Sequence, residues 1–136
     1  MLVLDHYAAA DIACATDRGI ALRNLLLKGD EVASPNTLRL DLMNAMARFM
    51  RMRAVSRTVA EECIELALST VDTFVPYEEL LPEAFSEASR TNLTMGDLLY
   101  FCLARRLGAT LVTSSDQLRA LCAESGVSYE TGLTAR

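Results

Sequence analysis

From Leu98 to Ala104 seven apolar residues follow one another without interruption, and no other stretch restricts the possible folds as strongly. A helix built on that run has no polar face of its own, so it must be buried among other elements. Arg105 and Arg106 mark its last turn, where cations suit a helix C-terminus, and Gly108 is the expected stop. The residues that follow, Ala109 to Val112, are polar only at Thr110 and partly β-branched, which predicts a central strand of a parallel sheet. Buried helix, glycine turn and buried strand are half of an αβ crossover unit. The strand runs into Thr113-Ser114-Ser115-Asp116, and ligands in such sheets bind in the crevice outside the strands' carboxyl ends.

The rest of the chain repeats the alternation. Leu2-Val3-Leu4 is a minimal apolar strand ended by Asp5, with an Ala-rich helix expected from Tyr7 to Ala15 and a second from Asp17 to Leu26, closed by Lys28-Gly29. Val32-Ala33 is a brief strand, and Ser34-Pro35 reads as a helix cap followed by a proline at the first helical position. A helix to about Met52 follows, then Ser56 to Leu68 as a helix and Val71 to Val75 as a strand. Pro76 or Pro82 restarts the chain as a helix to about Arg90. Asp116 to Glu124 should be helical, Ser125-Gly126 its stop, and Val127 to Tyr129 a last edge strand. About five short strands interleaved with roughly seven helices predict a three-layer α/β domain with a mainly parallel central sheet. A chain of 136 residues with 51% hydrophobic content fits one such domain, residues 1–136.

Composition excludes several functions. No apolar run approaches a membrane span, and Asp5 breaks the N-terminus too early for a signal peptide, so a cytoplasmic protein is expected. Cys14, Cys63, Cys102 and Cys122 are widely spaced, form no C-x-x-C and fall in apolar helical patterns, as buried thiols do. His6 is the single histidine and builds no metal cluster by itself, so a bound metal would be held by carboxylates, which suits Mg²⁺ or Mn²⁺. The net charge of −5 argues against a generic nucleic-acid binder, yet Arg39, Arg48, Arg51, Arg53 and Arg57 crowd one segment. That cluster is either a solvated helical face or a local phosphate-contacting surface.

Four acids stand at notable places: Asp5 and Asp116 just past strand ends, Asp41 inside the apolar helix after Pro35, and Asp97 at the start of the buried helix. Each has a plain alternative. Thr94-x-x-Asp97 has the form of a capping box, Asp116 follows the good N-cap Ser115, Asp5 can cap the helix after it, and Asp41 can pair with Arg48 or another arginine. Asn44 shares the helix face of Asp41. Converging in one crevice, the four carboxylates would repel one another unless divalent metal met them. Such a metal activates water and stabilises charge on a phosphodiester.

The segments MLVLD, SPNTLRLDLMNAMAR and DLLYFCLARRLGATLVTSSDQL resemble, in order and over nearly the whole chain, the PIN-domain ribonucleases, especially the small VapC-type toxins of bacterial toxin–antitoxin pairs. The resemblance implies a PIN-like fold and a Mg²⁺- or Mn²⁺-dependent ribonuclease. It makes Asp5 the first metal-binding aspartate, Asp41 the second acid with Asn44 as companion, Asp97 the third, and Thr113 the threonine that orients a water. It also implies an RNA substrate, a cognate antitoxin and a homodimer. On that reading Arg39, Arg48 or Arg51 of the basic cluster would guide RNA. The chain departs from the pattern twice. Asp41 stands where glutamate is usual, and Ser115 where the last aspartate is usual, with Asp116 one residue late. The alternative is therefore a catalytically impaired PIN-like binding module that keeps the fold and has lost the metal site. A phosphoacceptor receiver domain is set aside, because it needs a lysine after a late strand and the only lysine is Lys28, at a helix end.

Overall fold

The strands line up in the order β3-β2-β1-β4-β5, all parallel, where β1 is Leu2–Leu4, β2 Val32–Pro35, β3 Thr73–Val75, β4 Thr110–Val112 and β5 Tyr129–Glu130. The computed structural model describes residues 1–53 and 55–132. Among these residues seven α-helices flank the sheet: α1 His6–Ala13, α2 Asp17–Leu26, α3 Leu38–Arg53, α4 Arg57–Leu68, α5 Leu81–Ala88, α6 Met95–Leu107 and α7 Asp116–Ser125, with a 3-10 turn at Tyr77–Leu80.

The strand order dictates the layers. From β1 the chain moves outward to β2 and β3, then crosses back to place β4 on the other side of β1. Right-handed crossovers therefore put α1 to α4 on one face and α5 to α7 on the other. Helix packing follows that split, with α1 against α2, α3 and α4, and α6 against α5 and α7. The reversal of direction at β1 and β4 opens a crevice at their carboxyl ends.

The apolar run forms α6 as expected. Asp97 to Ala104 are eight consecutive buried residues, lying over β1, β2 and β4 and ended by Gly108 in the left-handed conformation (φ 61). No helix of the described residues is long and apolar enough to cross a membrane. The four cysteines are free thiols, and Cys102 and Cys122 are buried.

Three local expectations shift. Pro35 ends β2 opposite Val75 instead of opening a helix, and Ser34 donates its hydroxyl to the Leu4 carbonyl across the sheet at 2.8 Å instead of capping. Proline tolerates a strand end because it has no N–H to pair; α3 starts only at Leu38. The first helix stops at Ala13, since Ala15 turns left-handed (φ 53). The last strand begins at Tyr129, because the Val127 amide still serves the Cys122 carbonyl at the end of α7.

Candidate metal centre and nucleic-acid cleft

Asp5 is placed by the end of β1. Its backbone is extended, its amide continues the sheet to the Val112 carbonyl at 3.1 Å, and its Oδ1 accepts the Ala8 amide at 2.8 Å as the N-cap of α1. The capping role accounts for one oxygen only. Oδ2 is buried and has no partner, a costly state for a carboxylate. Burial pushes the Asp5 carboxyl up to about 7; the Ala8 amide, the Thr113 hydroxyl and His6 pull the other way, and Asp97 adds to the rise. Thr113, buried just beyond β4, lies near enough to favour the anion, yet no hydrogen bond closes on Oδ2. Its Oγ1 instead accepts the Ser115 amide at 3.0 Å.

Asp97 reaches the same crevice from the start of α6. Thr94 caps that helix by accepting the Asp97 amide at 3.2 Å, so half of the expected capping box exists. The other half does not. The Asp97 carboxylate turns away from its own helix end to residues about ninety positions earlier: Oδ1 meets His6 Nε2 at 2.9 Å and Oδ2 accepts the Tyr7 hydroxyl at 3.1 Å. Asp97 is only 8% exposed.

Asp41 comes from the first turn of α3. The ion pair expected with Arg48 does not form among the described residues; the Tyr100 hydroxyl donates to Asp41 Oδ2 at 2.6 Å instead. Tyr100 stands one turn after Asp97 on α6, so one helix carries both an acid of the site and the donor that orients another.

His6 touches Asp97 and the two tyrosines. Its ring lies 4.0 Å from the Tyr7 ring and 5.3 Å from the Tyr100 ring. Burial lowers the His6 pKa, but the bond to Asp97 and the charges of Asp5, Asp41 and Asp97 outweigh it, and the net shift is upward. Burial pushes Tyr7 up to about 12 and raises Tyr100 as well, so both phenols are hydrogen-bond donors at neutral pH.

Beside this cluster an open cleft of about 580 Å³ runs between α1 and α3, walled by His6, Tyr7, Asp41, Asn44, Arg48 and Ser114 among others. Asn44 and Arg48 are one turn apart on α3 and present an amide and a guanidinium to it. The other two arginines singled out from the sequence stand elsewhere. Arg39 pairs with Glu65 at 2.6 Å beside a separate groove between α3 and α4, and Arg51 is exposed on α3 away from the cleft wall. Arg18 of α2, which the sequence did not single out, reaches the Ser114 carbonyl at the cleft edge, 3.2 Å away.

Asp116 stands apart from the other three acids. Its side chain is 91% exposed and lies 3.4 Å from Arg119, while Ser115 caps α7 by accepting the Leu118 amide at 3.3 Å. Both residues do what their cap and dipole positions favour.

The donors around the crevice are carboxylate and hydroxyl oxygens, the set that hard divalent cations take, and the partnerless Asp5 Oδ2 lacks a structural role. In kind, the residues fit such an ion. As the side chains stand, no group of three or more His, Cys, Asp or Glu among the described residues is disposed to hold a metal, and His6 and Tyr7 engage both Asp97 oxygens. Sequence reasoning missed His6, Tyr7 and Tyr100. The available signals were that the first two follow Asp5 directly and that Tyr100 shares the helix face of Asp97.

No family model matches the sequence, and no curated protein matches it. Among solved structures, the chain is similar to PAE2754 from Pyrobaculum aerophilum, with a TM-score of 0.62 and 24% identity over 88% of this chain and 84% of that one. It is also similar to VapC20 of Mycobacterium tuberculosis, a sarcin–ricin loop cleaving toxin, with a TM-score of 0.65 and 15% identity over 89% of this chain and 95% of that one. Both likenesses are of fold. The chain has the PIN-like α/β fold of a VapC-type protein, as its sequence blocks led one to expect.

Proposed function

We propose that this chain is a divalent-metal-dependent ribonuclease of PIN type, the toxin of a toxin–antitoxin pair, with its site at the carboxyl ends of β1 and β4. One observation carries the reading: Asp5, at the carboxyl end of β1, keeps a fully buried carboxylate oxygen without a partner in the crevice that Asp97 also enters. A structural network would have satisfied that oxygen.

Asp5, Asp41 and Asp97 would hold Mg²⁺ or Mn²⁺, since oxygen donors suit both. A bound cation supplies activation of water and neutralisation of the charge that develops on the scissile phosphate. The chain's own residues supply position. Tyr100 fixes the Asp41 carboxylate, which stands where the family usually has glutamate, and the cap at Ala8 fixes Asp5. Asn44 and Arg48 offer a donor and a cation to the RNA backbone along the cleft wall. Thr113, beside Asp5, is the hydroxyl available to orient a water. Asp116, turned to solvent, assists only through water. An antitoxin segment covering the cleft, a homodimer and action in the cytoplasm belong to the same reading, by resemblance to VapC-type toxins.

The test is cleavage of RNA, including the sarcin–ricin loop that VapC20 cleaves, with Mg²⁺, with Mn²⁺ and with a chelator. Native protein should cut only with a cation. Asp41→Asn, whose amide oxygen can still accept from Tyr100, should lose about 100-fold or more, because a cation stabilises the transition state by several kcal/mol. Equal rates in both proteins, or undiminished cutting with chelator, would sink the proposal. The second reading, a PIN-like binding module without a working metal site, has its own support in the engaged Asp97 oxygens and the capping Ser115. It predicts a folded protein that cuts with neither cation.

A further inference from the structure

We propose that His6 is a plug on Asp97, one of the three carboxylates Asp5, Asp41 and Asp97: its imidazole holds Asp97 Oδ1 at 2.9 Å, so a divalent cation gains Asp97 only when His6 swings out. This rests on the reading of those three carboxylates as cation ligands, and it adds a control on the site that the resemblance does not supply.

Both oxygens of Asp97 are engaged, Oδ1 by His6 and Oδ2 by Tyr7, while Asp41 Oδ2 is engaged by Tyr100. Asp5 Oδ2, buried at the back of the crevice, is left without a partner. The charges of Asp5 and Asp41 also reach the imidazole, but the carboxylate that His6 holds is Asp97.

Displacement fits the chemistry better than coordination by His6. Mg²⁺ and, largely, Mn²⁺ prefer oxygen donors, and the Oδ1 lone pair of Asp97 that accepts from Nε2 is not free for an ion. The ring has somewhere to go. His6 is in the first turn of α1 and lines the open cleft of about 580 Å³, so a change of side-chain rotamer carries it outward without moving the helix. Breaking a charge-assisted hydrogen bond must then be subtracted from the affinity for the cation, and a site that is closed most of the time binds more weakly by the fraction that is open.

The experiment measures Mn²⁺ binding at one fixed pH by the electron paramagnetic resonance of free Mn²⁺, for the native chain, His6→Ala and Asp97→Asn, with circular dichroism to show that each is folded. His6→Ala should bind Mn²⁺ about tenfold more tightly than native, and Asp97→Asn more weakly. Equal affinity in native and His6→Ala overturns the plug while leaving the cation site in place. Weaker binding by His6→Ala overturns it too and makes His6 a ligand. If no variant binds Mn²⁺, the cation reading fails and the plug with it. A second measurement needs no variant: His6 is the only histidine of the chain, so its ring signals are unambiguous by nuclear magnetic resonance. Saturating Mg²⁺ should move them to the position of a ring freed from Asp97, and ring signals that stay fixed while Mg²⁺ raises the melting temperature would contradict the proposal.

Discussion

Asp5 carries two demands in one side chain. As the N-cap of α1 it needs only one acceptor oxygen, which an asparagine supplies equally well; as a buried carboxylate it is a burden that the fold tolerates. The folded pKa of about 7 against the ordinary carboxyl value of 3.8 fixes the sign of the pH dependence. Between those values the folded state holds a proton that the unfolded chain has lost, so stability falls as pH rises from about 4 to about 7, by about 4 kcal/mol at most. His6 adds in the same direction. Its raised pKa gives stability that is present at low pH and lost as pH climbs through the folded value. Asp5→Asn should therefore melt several degrees higher than native at pH 8, with the gap closing near pH 4. A native-like melting temperature for Asp5→Asn at both pH values would mean that the Asp5 carboxyl is not the strained group described here.

At the scale of elements, the site depends on how closely α1 and α2 approach, since α1 carries Asp5 at its cap and His6 and Tyr7 in its first turn. Gly19 permits the contact. A Cβ there would stand 1.9 Å from the Asp11 carbonyl oxygen, a backbone atom that no rotamer change can move. Gly19→Ala should cost about 3 kcal/mol in urea denaturation, at the upper end of overpacking effects, and a cost within about 0.5 kcal/mol would contradict that packing. The buried helix α6 was legible because a run of apolar residues ending in Arg-Arg-Leu-Gly leaves few other structures, and its stop at Gly108 follows from the same residues. Pro35 was misread because Ser-Pro is also a good helix start; what decides is that Ser34 finds the Leu4 carbonyl on the neighbouring strand, which local sequence does not reveal. The three acids of the crevice were readable as carboxylates in apolar surroundings or at strand ends. The partners that orient them were not, because His6 to Asp97 and Asp41 to Tyr100 span 91 and 59 residues. Asp116 had equal claims as a ligand and as a first-turn acid; its 91% exposed side chain follows the second.

At the scale of the whole molecule, the strand order makes the site. With β2 and β4 on either side of β1, the ends of β1 and β4 and the starts of α3 and α6 gather at one edge of the sheet, and each brings an acid or its orienting hydroxyl. The net charge of −5 does not oppose RNA binding in itself, because Asn44, Arg48 and Arg18 stand at the cleft while the acidic stretch from Glu61 to Glu87 lies on α4, α5 and the segment between them. A working divalent-cation site at this end of the sheet would tie the ion's binding to the folded state. Its most direct measurement is a thermal melt with and without Mn²⁺ for the native chain and for Asp97→Asn, in which the asparagine keeps the Thr94 cap through its backbone amide and an acceptor for Tyr7. A ligand that binds only the folded state raises the melting temperature by mass action. Mn²⁺ should stabilise the native protein and lose that effect in Asp97→Asn; no Mn²⁺ effect on the native protein, or the same effect on both, would mean that these carboxylates do not hold the ion.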